Sequence, residues 1–315
     1  MPPVPPPQIT LQAVGPDQRA AAIGLVLTGR ANPDSPAVRS FLTFAQEHQL
    51  DLRYLWWARE RDRPTAGLVI IPGVGRTGMV FCSPPPGPHA ADTLSQLVRH
   101  GLTDIDPQQI NLVQALIDPG QPTRRQGLED GGMAYLADLA YMKRTARRAQ
   151  GPPVFRLDGQ PLRLVHWNEQ HRPLFKQAIQ QSYIDTLDCP GLLGLRELDD
   201  VIAGHQATGR FDPQHWHVWV DAQDRPAAVL LLAASISSAG FELVYLGVSP
   251  HARRQGLARQ MMELALDITA RHSEPRTAAN LQLAVDDRNQ PALRLYRSLG
   301  FHTGERKTAL IKSLT

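Results

Sequence analysis

The clearest chemical signal in the chain is the segment Val248-Ser-Pro-His-Ala-Arg253-Arg254-Gln255-Gly256-Leu257-Ala258. The apolar run 242–248 reads as a buried strand, and after the basic turn Leu257, Met261, Leu264, Ala265 and Ile268 recur at helical spacing. A helix that starts there leaves several peptide N–H groups without partners and places the positive end of its dipole beside them. Gly256 and Ala258 keep those amides uncovered, and Arg253 or Arg254 brings positive charge, so the turn can cradle a pyrophosphate. The same letters also fit a plain strand-to-helix connection with exposed arginines.

Other combinations promise less. Gly73-Val-Gly-Arg-Thr-Gly78 satisfies G-x-G-x-x-G after a strand, yet leads into Met79 and a proline block instead of a helix, so it reads as a hairpin turn. His215 and His217 put two imidazoles on one face of a strand with no third ligand nearby, which predicts packing or cleft lining rather than a metal. Cys82 and Cys189 have no neighbouring histidine and acid to activate them. Arg124-Arg125-Gln126-Gly127-Leu128 repeats the letters of 253–257. There, however, Glu129, Asp130, Gly131 and Gly132 follow, which should interrupt a helix and set acids beside any bound phosphate.

The elements that must position the first segment follow from the length and pattern. At 315 residues, with 42% hydrophobic and 20% charged, the chain is a globular protein of two domains. The longest uncharged apolar stretch, 227–234, is about half of what a bilayer-spanning helix needs, and no charged region precedes an apolar block at the N-terminus. Two cysteines cannot build a disulfide framework, and free thiols suit a cytoplasmic location. A net charge of +3 with no run of five basic residues argues against nucleic acid as a partner.

A break at 144–153, where basic residues run into Gly151-Pro-Pro, divides the chain nearly in half. The expected organisation is a disordered Pro-rich tail at 1–8, one domain over 9–150 and a second over 151–315. Both halves open with a short strand, at 9–14 and at 162–166, and reach a hairpin whose turn carries Asp-Arg-Pro. Those turns, Asp62-Arg63-Pro64 and Asp224-Arg225-Pro226, stand 162 residues apart, which suggests duplication of one α/β unit. In the second half a strand is expected at 280–285, a helix starting at Pro291 and stopping at Gly300, and a last strand at 308–312 that closes the unit.

The segment Asn289-Gln-Pro-Ala292-Leu-Arg-Leu295-Tyr296-Arg-Ser-Leu-Gly300-Phe301 adds a second motif. Together the two segments resemble the GCN5-related N-acetyltransferase (GNAT) superfamily. Its acyl-CoA loop reads Arg/Gln-x-x-Gly-x-Gly/Ala, and a later helix carries Asn-x-x-Ala-x-x-Leu-Tyr-x-x-x-Gly-Phe. Arg253, Gly256 and Ala258 match the first pattern; Asn289, Ala292, Leu295, Tyr296, Gly300 and Phe301 match the second. The resemblance covers about 162–314, and the fold it implies is two tandem GNAT-like units with mixed, mostly antiparallel sheets flanked by helices. The first unit is expected to be degenerate, because Ser83-Pro-Pro-Pro-Gly-Pro88 stands where the second has Ser249-Pro250 and its prolines remove amide donors. This tandem pattern looks like the mycothiol synthase-like acetyltransferases.

The resemblance implies a sheet splayed open between 242–248 and 280–285, with the arm of acetyl-CoA, used as cosubstrate and without a metal, in the gap. The backbone of Leu246, Gly247 and Val248 would pair with the arm, and the turn Arg253, Arg254, Gln255, Gly256, Leu257 and Ala258 would hold the pyrophosphate. Asn289 would belong to the same site, and the amide of Val248 would face the thioester oxygen. Tyr296 would serve as general acid, its phenol near enough to a thiol's pKa to exchange protons; aromatic packing is its other reading. Glu242, six residues before Val248 and on the same face of an unbulged strand, would be the base; a surface glutamate is the alternative. Tyr183 and Asp185 are expected in the wall of an acceptor cleft. The implied reaction moves an acetyl group to a primary amine of a small molecule, and the rival reading is a non-catalytic acyl-CoA-binding module.

Overall fold

The computed structural model describes residues 8–84, 86–148, 151, 153–236, 238–272 and 278–314; the Pro-rich run 1–7 lies outside them. The first half of the chain runs β1 (Ile9–Ala13), α1 (Arg19–Thr28), α2 (Pro36–Glu47), β2 (Leu55–Glu60), β3 (Arg63–Gly73), β4 (Thr77–Ser83), α3 (Ala90–Thr103), β5 (Leu112–Ile117), α4 (Pro122–Asp130) and β6 (Ala134–Thr145). The second runs β7 (Arg156–Leu157), β8 (Gln160–Pro161), β9 (Arg163–His166), α5 (Arg172–Ser182), α6 (Leu198–Gln206), β10 (Arg210–Val220), β11 (Pro226–Ala234), β12 (Gly240–Val248), α7 (Leu257–Arg271), β13 (Asn280–Asp286), α8 (Gln290–Ser298) and β14 (His302–Ser313).

Two compact units result, but they do not divide at 150/151. One consists of Met1–Ala137 with Lys307–Thr315, the other of Asp138–Arg306. In the first, strands lie in the order β1-β2-β3-β4-β5 and the end of β14 completes the sheet, Thr308 opposite Ile117 and Leu310 opposite Ala115. In the second the order is β9-β10-β11-β12-β13, completed by β6, with Gln282 opposite Lys143 and Ala284 opposite Tyr141. The last strand therefore does not close the second unit. Strand pairing is decided by the edge that needs a partner, and β6 already covers the open edge of β13.

In the second unit β11 is buried on both faces, which is why 227–234 reads as an unbroken apolar run. Ala228, Leu230 and Leu232 pack with Met261, Met262, Ala265 and Leu266 of α7. Val229 and Leu231 pack the other way with Phe175, Ala178 and Ile179 of α5 and with Trp216. Two features of β12 open this sheet. It pairs in parallel with β13 only from Gly240 to Glu242, opposite Asn280 to Gln282, and beyond that the two strands part. On its other edge Leu243 faces Leu232 and Tyr245 faces Leu231, so Val244 is an extra residue, a β-bulge.

Candidate active site

The gap between the parted strands is a cavity of about 540 Å³, lined by β12 from Tyr245 to Val248, the turn into α7, and Asn289, Ala292, Leu295 and Tyr296 of the α8 segment. The register shows which backbone groups face it. Ser249 N–H donates to Ala227 O at 2.9 Å while Val248 stands opposite Ala228. Alternation in an antiparallel pair then turns the N–H and C=O of Val248 and of Leu246 away from β11, toward the gap. Gly247 serves close packing instead. A Cβ there would meet Ser182 Oγ at 2.4 Å, so only glycine lets β12 pass this close to α5.

The turn into α7 is shaped by left-handed backbone at Arg254 (φ 68°) and Gly256 (φ 83°). Glycine takes this conformation without strain and leaves open space around itself. Gly256 caps α7 without a side chain; its carbonyl accepts from the amides of Arg259 and Gln260. Among the described residues, the amides of Gly256, Leu257 and Ala258 have no hydrogen-bond partner and stand at the positive end of the helix. Leu257 is itself buried in the core, so its part in the site is its backbone.

Three side chains of this turn do different work. Arg254 is exposed and lines the cavity, free to meet a phosphate. Arg253 is committed elsewhere: its guanidinium donates to the carbonyls of Val248 (3.1 Å), Ser182 (3.2 Å) and Ile184, tying the end of β12 to the segment after α5. Gln255 donates to Asp158 Oδ1 and accepts from the Asp158 amide, both at 2.9 Å, and lies outside the cavity. The turn's charge toward a ligand thus rests on Arg254 and the helix end. Arg253 is a brace.

Tyr296 projects from α8 into the cavity and is only 7% exposed. Burial, with the charge of Asp188 adding to it, pushes its phenol above the ordinary tyrosine value. The raised value keeps Tyr296 protonated near neutral pH, so what it offers the cavity is an O–H donor. Asn289 caps α8, its Oδ1 accepting from Ala292 N–H at 3.3 Å, and also lines the cavity. Both Tyr183 and Asp185 line it as well.

Beside them lies a clip that no sequence motif announces. Asp188 accepts from the amide of Asp286 at 3.0 Å, and Cys189 N–H donates back to Asp286 Oδ2 at 3.3 Å. Asp286 is fully buried and paired with Arg288 at 2.8 Å. This clip holds the 183–189 segment across the mouth of β13. Burial raises the pKa of Asp188, against hydrogen bonds from the Asp286 amide and Asn289 that lower it.

Glu242 does not lie on the face of Val248. The bulge at Val244 reverses the alternation, since Glu242 faces Ala233 and Val248 faces Ala228, five residues apart on β11. Glu242 instead lines a second cavity of about 550 Å³, with Tyr141, Lys143, His205, Thr208, Val244 and Gln282 among its neighbours. Its carboxylate accepts from Ser235 Oγ at 2.9 Å. Ala284 lines both cavities.

The remaining candidates are structural. His215 and His217 are buried and pair with His272 and His166, ring centroids 4.8 and 4.9 Å apart. Among the described residues no group of three or more His, Cys, Asp or Glu is placed to hold a metal. Burial pushes the thiols of Cys82 and Cys189 up to about 12, which makes them poor nucleophiles. Gly73 ends β3 and residues 74–76 form the turn into β4. Helix α4 runs unbroken through Gly127 to Asp130, so Arg124-Arg125-Gln126-Gly127-Leu128 is helix interior and no cradle.

The acetyltransferase (GNAT) family model matches residues 162–301, which include every residue lining the first cavity. Residues 162–301 are a GNAT domain. None of the curated proteins matches the chain. Among solved structures, a GCN5-related N-acetyltransferase from Sphaerobacter thermophilus superposes with a TM-score of 0.59 at 17% identity, covering 97% of this chain and 95% of the other. A tandem GNAT protein from the clavulanic acid biosynthesis pathway gives 0.50 at 14% identity over 97% and 98%. The glucosamine N-acetyltransferase region of a fungal multi-domain β-N-acetylglucosaminidase gives 0.58 at 12%, over 98% of this chain and 38% of that one. At these identities the likeness shows the fold: a tandem GNAT arrangement along the whole chain. Among the described residues no helix is long and apolar enough to cross a membrane.

Proposed function

We propose that this protein transfers an acetyl group from acetyl-CoA to a primary amine of a small-molecule acceptor. The observation that carries the reading is the cavity between β12 and β13, which combines the unpartnered amides opening α7, the inward backbone of Leu246 and Val248, and Tyr296. The pyrophosphate would rest on the amides of Gly256 to Ala258 with Arg254 beside them, and the pantetheine arm would pair with β12 like a missing strand. The acceptor would occupy the second cavity and reach the thioester past Ala284.

The chemistry then divides between the two sides of the bulge. The amine nitrogen attacks the thioester carbon, the carbon–sulfur bond breaks, and the electron pair leaves on sulfur. Glu242 takes the proton the amine must lose. The Val248 amide stabilises charge on the thioester oxygen, and Tyr296 donates a hydrogen bond to the departing thiolate. Acceptors of small-molecule size suit a space of about 550 Å³.

The test is release of free thiol from acetyl-CoA by the full chain across a panel of primary amines. Turnover with at least one amine, and an N-acetyl product by mass, is the expected result; CoA binding without turnover on any amine would support a binding module instead.

A further inference from the structure

The second cavity carries a charge pattern of its own. Glu242 stands opposite Gln282, and Gln282 stands opposite Lys143, so these three residues form one row across β12, β13 and β6. Register partners share a face of the sheet, and all three line the cavity. Glu242 and Lys143 are two strand spacings apart, roughly 10 Å between backbones, with the amide side chain between them.

Among the described residues neither Glu242 nor Lys143 has an ion-pair partner. Glu242 is held by Ser235, which accepts from Ser238 Oγ at 3.1 Å, and Gln282 Nε2 donates to Ser238 Oγ at 2.6 Å. This relay of hydroxyls and an amide fixes the direction of the carboxylate without cancelling its charge. The cavity also holds the buried Nε2 of His205, which has no hydrogen-bond partner. Burial, assisted by Arg196, lowers this imidazole to about 4, so near neutral pH it is an uncharged polar group. A buried nitrogen without a partner destabilises the fold unless a ligand satisfies it.

The geometry points to an acceptor that is a zwitterion: an amine that carries a carboxylate several bonds away, with its nitrogen at Glu242 and its carboxylate at Lys143. This rests on the reading that the second cavity receives the acceptor. An acid and a base held apart on one floor select for a ligand with the opposite charges at matching separation. A simple alkylamine leaves Lys143 unanswered, and an amine bearing a second cation is repelled by it.

Calorimetric titration of the full chain with 4-aminobutanoate, 5-aminopentanoate and 6-aminohexanoate, against butylamine, pentylamine and hexylamine, tests this. At least one amino carboxylate is expected to bind ten or more times tighter than the alkylamine of the same length. Lys143→Gln should erase that preference while leaving CoA affinity unchanged, and Glu242→Gln should weaken both series. A carboxylate that adds nothing at any length, a preference that survives Lys143→Gln, or no binding of any amino carboxylate at millimolar concentration would overturn the assignment. Failure of the acyl-transfer reading would appear separately, in the thiol-release assay, and leaves this titration readable.

Discussion

Helices α3 and α4 of the first unit and α7 and α8 of the second follow the corresponding strands, yet they do opposite things with the gap in the sheet. In the first unit β4 and β5 pair in parallel only from Thr77 to Val80, opposite Leu112 to Ala115, so the strands part there as well. Helices α3 and α4 then fill the space. A Cβ on Gly127 would stand 2.8 Å from Leu94, and one on Gly131 would stand 2.7 Å from Val98, a contact only glycine permits. In the second unit the glycine is at the helix entrance, Gly256, with nothing within 4 Å of its missing Cβ. One unit uses glycine to close two helices together and the other to hold open a turn of bare amides. The splayed sheet is shared, and the placement of small residues decides whether it becomes core or cavity.

The largest effect should come from the chemistry confined to the open unit. Tyr296→Phe is expected to lower kcat about 100-fold, with CoA affinity within twofold of the parent. A kcat left intact would return Tyr296 to aromatic packing. Glu242→Gln should cost about 100-fold in kcat/KM near neutral pH, the low end of what a positioned base contributes. The deficit should narrow as pH rises toward the amine's own value of about 10, where solvent removes the proton. A deficit constant across the pH profile would hand the proton to another group.

Glycine substitutions sharpen the contrast directly. Gly127→Val overpacks the closed pair and should cost about 1–3 kcal/mol, read as a Tm several degrees lower, with CoA binding unchanged. Gly256→Val strains the left-handed turn by about 1–2 kcal/mol and should weaken CoA by tenfold or more. If both variants acted alike on CoA, the two glycines would not have separate roles.

The smallest effect concerns stability in acid. Burial, then the neighbouring His166 and His215, holds His217 down to about 3 against an ordinary 6.5, and His205 lies at about 4. The unfolded chain binds these protons first, so their contribution to stability is complete above about pH 6.5 and is lost as pH falls toward 4 and 3. His217→Phe should flatten that part of the Tm profile measured from pH 7 to 4. An unchanged slope would place the acid sensitivity elsewhere.

Local physics made much of this readable from the letters. The double-sided burial of β11, the apolar stripe of α7, and the Pro291 and Gly300 that bound α8 are each fixed by neighbours within a few residues. What escaped depends on distant partners. No glycine or proline announces the bulge at Val244, so the face of Glu242 could not be read from its spacing to Val248. The contacts of Arg253 with Ser182 and Ile184, and of Asp188 with Asp286, join segments about 70 and 98 residues apart. The exchange of β6 and β14 between units leaves the apolar pattern of either strand unchanged, and only the register reveals it.

Calorimetric titration of CoA into the full chain measures the central claim most directly. One molecule should bind per chain, and Gly256→Val should weaken it while Gly127→Val does not. Two bound molecules per chain, or no heat at millimolar CoA, would contradict the account.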